Sequence, residues 1–237
     1  MSDKPAAATA AEKAPPLPLP QTVAVLGGTG DLGGGVARFL ARQGVAVVIG
    51  SRDAARAQAA AATLAADLPG SKVSGAALAD AAQAGELVVL AVPYAAHADT
   101  LDAVRAACQG KILIDTTVPL RPPKVMRVQL PAAGSAAVET QQRLGEGVRV
   151  VSALQNISAH YLAEGVVPDC DVLVTGDDEA ARQLVIELLN RGGLRAWHAG
   201  PLANSAAAEA LTSILIGMNR RYKFKGAGIR ITDGHAG

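Results

Sequence analysis

The stretch that most constrains this chain is Val23-Ala24-Val25-Leu26-Gly27-Gly28-Thr29-Gly30-Asp31-Leu32-Gly33, where a short apolar run breaks into glycines and then opens a helical window. Gly28, Gly30 and Gly33 fit G-x-G-x-x-G, in the strand–loop–helix setting that gives the motif its meaning. In such a loop one glycine makes the tight turn, one lets backbone approach a pyrophosphate, and one permits close helix–strand packing. The helix start adds unpaired N–H groups and a positive dipole end for the phosphates.

The pattern downstream extends this unit to a whole domain. Strands are expected at 22–26, 45–49, 87–92, 112–114, 148–153 and 172–175, with a short last one at Trp197 and His198. Helices fall near 32–43, 53–66, 76–84, 95–108, 133–144 and 178–190. Such alternation predicts an α/β fold, a doubly wound parallel sheet of Rossmann type over residues 21–200. After Gly200-Pro201 a long helix, about 202–221, places Leu211, Ile214, Leu215 and Met218 on one face, making 201–237 a small C-terminal helical lobe. Residues 1–20 hold five of the 13 prolines and no large apolar cluster, and read as a disordered tail.

The tip of the second strand decides the cofactor. A dinucleotide-binding loop is usually followed about 20 residues later by an acidic residue for the ribose 2′-hydroxyl. Here Val47-Val48-Ile49-Gly50 ends in Ser51 and Arg52, with Arg56 one helical turn on. A small hydroxyl and two guanidinium groups suit a 2′-phosphate, hence NADP(H). Asp53 reads as a helix N-cap. The spacing Gly27, Gly30, Gly33 also fits the G-x-x-G-x-x-G of short-chain dehydrogenases. Those enzymes need Tyr-x-x-x-Lys, whereas Tyr94, Tyr161 and Tyr222 are followed four residues later by Ala98, Gly165 and Gly226.

Composition removes other classes. Twenty-two Lys+Arg against 21 Asp+Glu leave a net charge of +1, with no global field for nucleic acid or an anionic membrane. Six aromatic residues are too few for base-stacking platforms. No apolar run is long enough for a transmembrane helix. Cys108 and Cys170 form neither a disulfide framework nor a metal cluster, as suits a cytoplasmic protein. Asp177-Asp178-Glu179 reads as a helix start, and His97, His160, His198 and His235 as rim or surface residues. No Ser/His/Asp or Tyr/Lys constellation is evident, so no catalytic side chain and no metal ligand is assigned.

Together the stretches VAVLGGTGDLGGGVA, VVIGSRDAARA, VVLAVPYAAHADT, VVSAL, TGDDEAA and GPLANS, with the late Lys225-Gly226-Ala227-Gly228-Ile229, resemble the NADPH-dependent reductases of coenzyme F420, an 8-hydroxy-5-deazaflavin. The resemblance spans about residues 22–229 and implies reversible hydride transfer between NADPH and coenzyme F420, with both reacting atoms supplied by the cofactors. It implies NADP contacts at Thr29, Gly30, Asp31 and Leu32, at Ser51, Arg52 and Arg56, and at Tyr94, Ala98, Arg121 and Ala159. Backbone around Ala227 would close the deazaflavin side. A homodimer is also expected. The chain departs from the family where Gln155 stands for a common His, and Tyr94 for a common Trp. On the residues alone, two rivals stay open: another NADPH reductase acting on a flavin, metal chelate or imine, and a non-enzymatic NADP-sensing module. The densest cationic group, Arg220-Arg221-Tyr222-Lys223-Phe224-Lys225, reads as a solvated basic end or as the docking point of an anionic ligand tail.

Overall fold

The computed structural model describes residues 17–233. Eight strands form one sheet in the order β3-β2-β1-β4-β5-β6-β7-β8. They are β1 (Thr22–Leu26), β2 (Ala46–Ser51), β3 (Val73–Ala77), β4 (Leu87–Leu90), β5 (Ile112–Asp115), β6 (Arg149–Ser152), β7 (Asp171–Gly176) and β8 (Arg195–His198). The helices are α1 (Asp31–Ala41), α2 (Ala54–Asp67), α3 (Leu78–Ala84), α4 (Tyr94–Val104), α5 (Ala136–Leu144), α6 (Ala159–Ala163), α7 (Glu179–Arg191) and α8 (Ser205–Tyr222).

Alternate residues of the central strands feed two cores, as a sheet covered on both faces requires. Val23 and Val25 of β1 join Val36, Phe39 and Leu40 of α1 and Leu184, Val185 and Leu188 of α7 on one side. Ala24 and Leu26 join Leu78 of α3, Leu101 and Val104 of α4 and Leu144 of α5 on the other. The order reverses between β1 and β4, so a crevice opens beyond their carboxyl ends.

Four features correct the sequence reading. The edge strand β3 interrupts the start of the helix expected at 76–84; its sequence VSGAA has no apolar run to announce it. β7 runs antiparallel to β6, with Ser152 opposite Thr175, so the sheet is not wholly parallel. Only the five-residue α6 lies between them, too short to carry the chain back across the sheet. Leu17 and Leu19 pack against the core and Pro20 is buried, so the packed chain begins before residue 21; residues 1–16 and His235 lie outside the described residues. Finally, the apolar stripe of α8 is split: Ile214 is 52% and Met218 38% exposed, whereas Leu215 is buried along with the polar Ser205, Glu209 and Ser213.

The antiparallel β7 begins at Asp171, upstream of its pairing with Ser152, and therefore reaches past the carboxyl end of β6. There the chain after α8 folds back on it. The Asp171 N–H donates to the Ile229 carbonyl at 2.8 Å, and the Ala227 N–H donates to Asn219 Oδ1 at 2.7 Å.

Candidate functional site

The glycine loop is tied at both ends. The Gly27 N–H donates to the Gly50 carbonyl at 2.9 Å and the Gly30 N–H to the Gly27 carbonyl at 3.0 Å. The tight turn falls on Gly27, at φ +85°, rather than on Gly28, which packs against Ile49. Gly33 supplies the close helix–loop approach, since a Cβ there would stand 2.3 Å from the Gly27 carbonyl oxygen. Gly30 caps α1 without a side-chain hydrogen bond, and the first intrahelical bond runs from the Gly34 N–H to the Gly30 carbonyl. The N–H groups of Asp31, Leu32 and Gly33 precede that bond, as phosphate-binding helix starts require.

The tip of β2 faces this loop across a cleft of about 340 Å³, within the range of small-ligand sites. Gly27, Thr29, Gly30, Ser51, Arg52 and Arg56 all line it, so the loop and the cationic tip meet. Asp53 caps α2, accepting from the Arg56 N–H at 3.2 Å, as read from sequence. A shallower concavity beneath the loop is lined by Gly28, Asp31 and Arg38. Pro93, Ala96 and Thr100 form the cleft's α4 wall.

Tyr94 and Ala98 instead face a second concavity, between α4 and α5, with His97, Glu139 and Arg143. The Tyr94 hydroxyl donates to Glu139 Oε2 at 2.9 Å, and the Arg121 guanidinium stacks 5.7 Å from the Tyr94 ring centre. Burial and the Glu139 carboxylate raise the Tyr94 pKa against the opposing pull of Arg121. His97 is not a rim residue. It is 3% exposed, with Nε2 3.1 Å from Asp115 Oδ2, which also accepts from the Thr140 hydroxyl at 2.6 Å. Burial alone would raise the Asp115 carboxyl; hydrogen bonding and charge from His97, aided by Thr140, hold it below the usual carboxylate range.

Beyond the carboxyl end of β6, Gln155 is buried, its side-chain amide donating to the Asp115 carbonyl and to Ser152 Oγ, both at 2.8 Å. Ala159 opens α6, and Leu162 of that helix packs against Gly35. The C-terminal segment meets the same region: a Cβ on Gly226 would touch Ser158 and Tyr161, and one on Gly228 would touch Cys170. Ala159 and Ala227 therefore belong to one neighbourhood, apart from the glycine-loop cleft. Lys223, at φ +59°, ends α8, and Tyr222 stacks on Phe224 with centroids 5.6 Å apart.

One residue here went unread in the sequence. Glu209 of α8 is 1% exposed and accepts from the Ala136 N–H at 2.7 Å and the Ala137 N–H at 3.1 Å. Its signal is its register: Ser205, Glu209 and Ser213 recur every four residues in an alanine-rich helix, marking a small polar face. Among the described residues, no three His, Cys, Asp or Glu side chains are grouped to hold a metal, and no helix is long and apolar enough to cross a membrane. Cys108 is fully buried, and that burial pushes its thiol up to about 11.

Residues 22–119 match the family described as NADP oxidoreductase, coenzyme F420-dependent. The chain is 40% identical over 225 residues to the F420-dependent NADP reductase of Methanocaldococcus jannaschii, covering 89% of this chain and 98% of that one. It is 42% identical to the protein of that name from Methanothermobacter marburgensis, with the same coverage. A crystal structure of a candidate F420-dependent NADP reductase from Arthrobacter sp. FB24 superposes with a TM-score of 0.76 at 29% identity, over 90% of this chain and 99% of that chain. An imine reductase from Myxococcus stipitatus, at 18% identity and a TM-score of 0.58 over 86% of this chain and 62% of its own, shares the fold.

Proposed function

From the premise that this chain belongs to the coenzyme F420-dependent NADP oxidoreductase family, we propose how its residues divide the work of the two cofactors. The protein is an oxidoreductase that transfers a hydride between NADPH and F420. When bound, the two cofactors would supply the hydride chemistry between nicotinamide and deazaflavin, and the protein's part would be to orient the rings and exclude water.

The single observation that carries our assignment of the NADP half is the meeting of the glycine loop and the cationic tip of β2 in one cleft. Gly28, Thr29, Gly30, Asp31, Leu32 and Gly33 cradle the pyrophosphate, while Ser51, Arg52 and Arg56 hold the 2′-phosphate. The cleft fits such a group: Gly30 presents no side chain, and a Cβ there would lie 3.6 Å from its nearest neighbour, so space remains above the loop. Tyr94, Ala98, Arg121 and Ala159 are assigned to NADP, as the family resemblance implies, and backbone at Ala227 closes the deazaflavin side. In this reading residues 21–200 bind the dinucleotide and 201–237 complete the second pocket.

The apolar side chains that α8 and its end leave exposed support a homodimer. Ile214, Met218, Tyr222 and Phe224 are exposed, and the loop bearing exposed Met126 and Val128 lies alongside, joined where the Ser213 hydroxyl donates to the Arg127 carbonyl. We assign this face to a second copy of the chain and the protein to the cytoplasm, where two free cysteines persist. Sedimentation tests the first point: Ile214→Arg should release monomers, and an unchanged mass would remove this face from the interface. The activity itself is tested by mixing protein, NADPH and F420. Bleaching of the deazaflavin absorbance is expected, with its return on adding excess NADP and reduced F420; no bleaching would refute the function.

A further inference from the structure

The carboxyl group of Glu209 is buried, and among the described residues the charged groups facing it are Asp115 at the end of β5 and Glu139 on α5, both acidic. Its partners are the first two N–H groups of α5, positive in character because they head a helix. Ser135 completes that cap, its Oγ accepting from the Val138 N–H at 3.0 Å and from the Ser205 hydroxyl at 2.7 Å. Two of the three side chains that finish the start of α5 thus come from α8, some 70 residues later.

What α8 carries gives the contact its importance. One turn beyond Glu209, the Thr212 hydroxyl donates to the Gln155 carbonyl at 2.7 Å. Ser213 reaches the Arg127 carbonyl in the loop that leads into α5, and Asn219 holds the Ala227 N–H. A single rigid helix thereby sets the loop after β6, the loop before α5 and the C-terminal segment. None of these contacts reaches the glycine loop or the tip of β2.

We infer that Glu209 is a positioning residue for the F420 pocket: by gripping the start of α5 it fixes the register of α8, and α8 in turn holds the segments that bound the deazaflavin. This rests on the placement of F420 beneath the C-terminal segment. Removing the grip leaves two buried N–H groups without their acceptors, so α8 shifts or loosens rather than leaving them bare. The dinucleotide half, built on β1, β2 and α1, should not register the change.

Two variants of the full-length protein test this. Glu209→Gln keeps the shape and one acceptor oxygen, and Glu209→Ala removes both. Steady-state kinetics should show the KM for F420 rising about tenfold in Glu209→Gln and further in Glu209→Ala, with the dissociation constant for NADPH within twofold of the parent. Hydrogen exchange gives the readout apart from activity: the Ala136 and Ala137 amides should lose at least tenfold protection, with the amides of β1 and β2 unchanged. Lost protection with an unaltered KM for F420 would leave Glu209 a purely structural cap and overturn the inference. Unaltered protection would overturn it as well, as would equal weakening of both ligands. If Glu209→Ala does not fold, Glu209→Gln and Ser205→Ala carry the test in the same direction. Failure of the underlying reading looks different: the parent protein would then bind F420 without protecting Ala227 or the loop after β6.

Discussion

Two glycines three residues apart in the same loop should fail in different ways when each receives a methyl group. At Gly33 a Cβ would stand 2.3 Å from the Gly27 carbonyl oxygen, 2.7 Å from its carbon and 2.9 Å from Gly28 Cα. All three are backbone atoms, so no rotamer change relieves the clash and the helix must lift off the loop. Overpacking of this kind costs about 1–3 kcal/mol, which for a chain of this size lowers Tm by roughly 2–12 °C once converted at 2–4 °C per kcal/mol. At Gly30 the nearest atom is 3.6 Å away, and φ of −97° is open to any residue. Gly30→Ala should therefore change stability by no more than about 1 kcal/mol, the scale of a weakened N-cap. Its methyl group instead occupies the space where a pyrophosphate approaches, and the dissociation constant for NADPH should rise at least about tenfold, or 1.4 kcal/mol. Thermal unfolding followed by circular dichroism and titration of NADPH fluorescence separate the two variants. A Gly33→Ala protein with the parental Tm, or a Gly30→Ala protein with the parental affinity, would refute the division of labour in this loop.

The remaining expectations follow from charge and burial. Arg52→Ala should weaken NADPH binding roughly ten- to a hundredfold, the loss of a charge-assisted contact, while NADH binding hardly changes; equal losses for both nucleotides would remove the 2′-phosphate from this site. F420 carries a phosphodiester and glutamates, so replacing Lys223 and Lys225 with glutamine should weaken its binding and blunt its salt dependence; an unchanged titration would leave these lysines as solvated surface. Burial lifts the Glu209 carboxyl from 4.5 to about 8, with Asp115 and Glu139 adding to the effect and the Ala136 and Ala137 N–H groups opposing it. A proton held by the folded state but released by the unfolded one stabilises fully below pH 4.5, and that stability is lost as pH rises toward 8. The decline should approach 1.4 kcal/mol per pH unit over this interval, and Glu209→Gln should flatten it in denaturant titrations. A parental slope in that variant would assign the proton to another group.

The elements legible in the sequence are those whose local pattern and final environment agree. β1, β4 and β5 are apolar on both faces because both faces are covered, and the glycine loop and Asp53 cap follow from local geometry alone. β3 escaped because an edge strand with Ser74 and Gly75 needs no apolar run. The face of α8 was misread for a more instructive reason. Its buried side meets a helix start and a serine, so Ser205 and Glu209 sit inside beside Ala208 and Leu215, while Ile214 and Met218 are left for the surface. Periodicity locates a stripe without saying what lies opposite it. His97 was misjudged likewise, since its burial depends on Asp115 and Thr140 from two other elements. Tyr94 follows Pro93, which lines the cleft, yet the first turn of α4 carries its ring to the other side.

The long reach of the α8–α5 contact also bears on how the protein comes into being. The amides of Ala136 and Ala137 wait for a carboxylate 73 and 72 residues further along the chain. At ribosomal speeds of about 5–20 residues per second, that wait lasts roughly 4–15 s. The sheet through β6, with its glycine loop and cationic tip, has left the synthetic machinery by then. On the proposed division of the two sites, a nascent chain at that stage would hold the residues assigned to NADPH and lack the helix assigned to the other pocket. Dinucleotide present in the cell would stabilise this early half through binding alone, before the last helix arrives. On that assignment the two pockets would assemble in the order of translation, with competence for F420 acquired last.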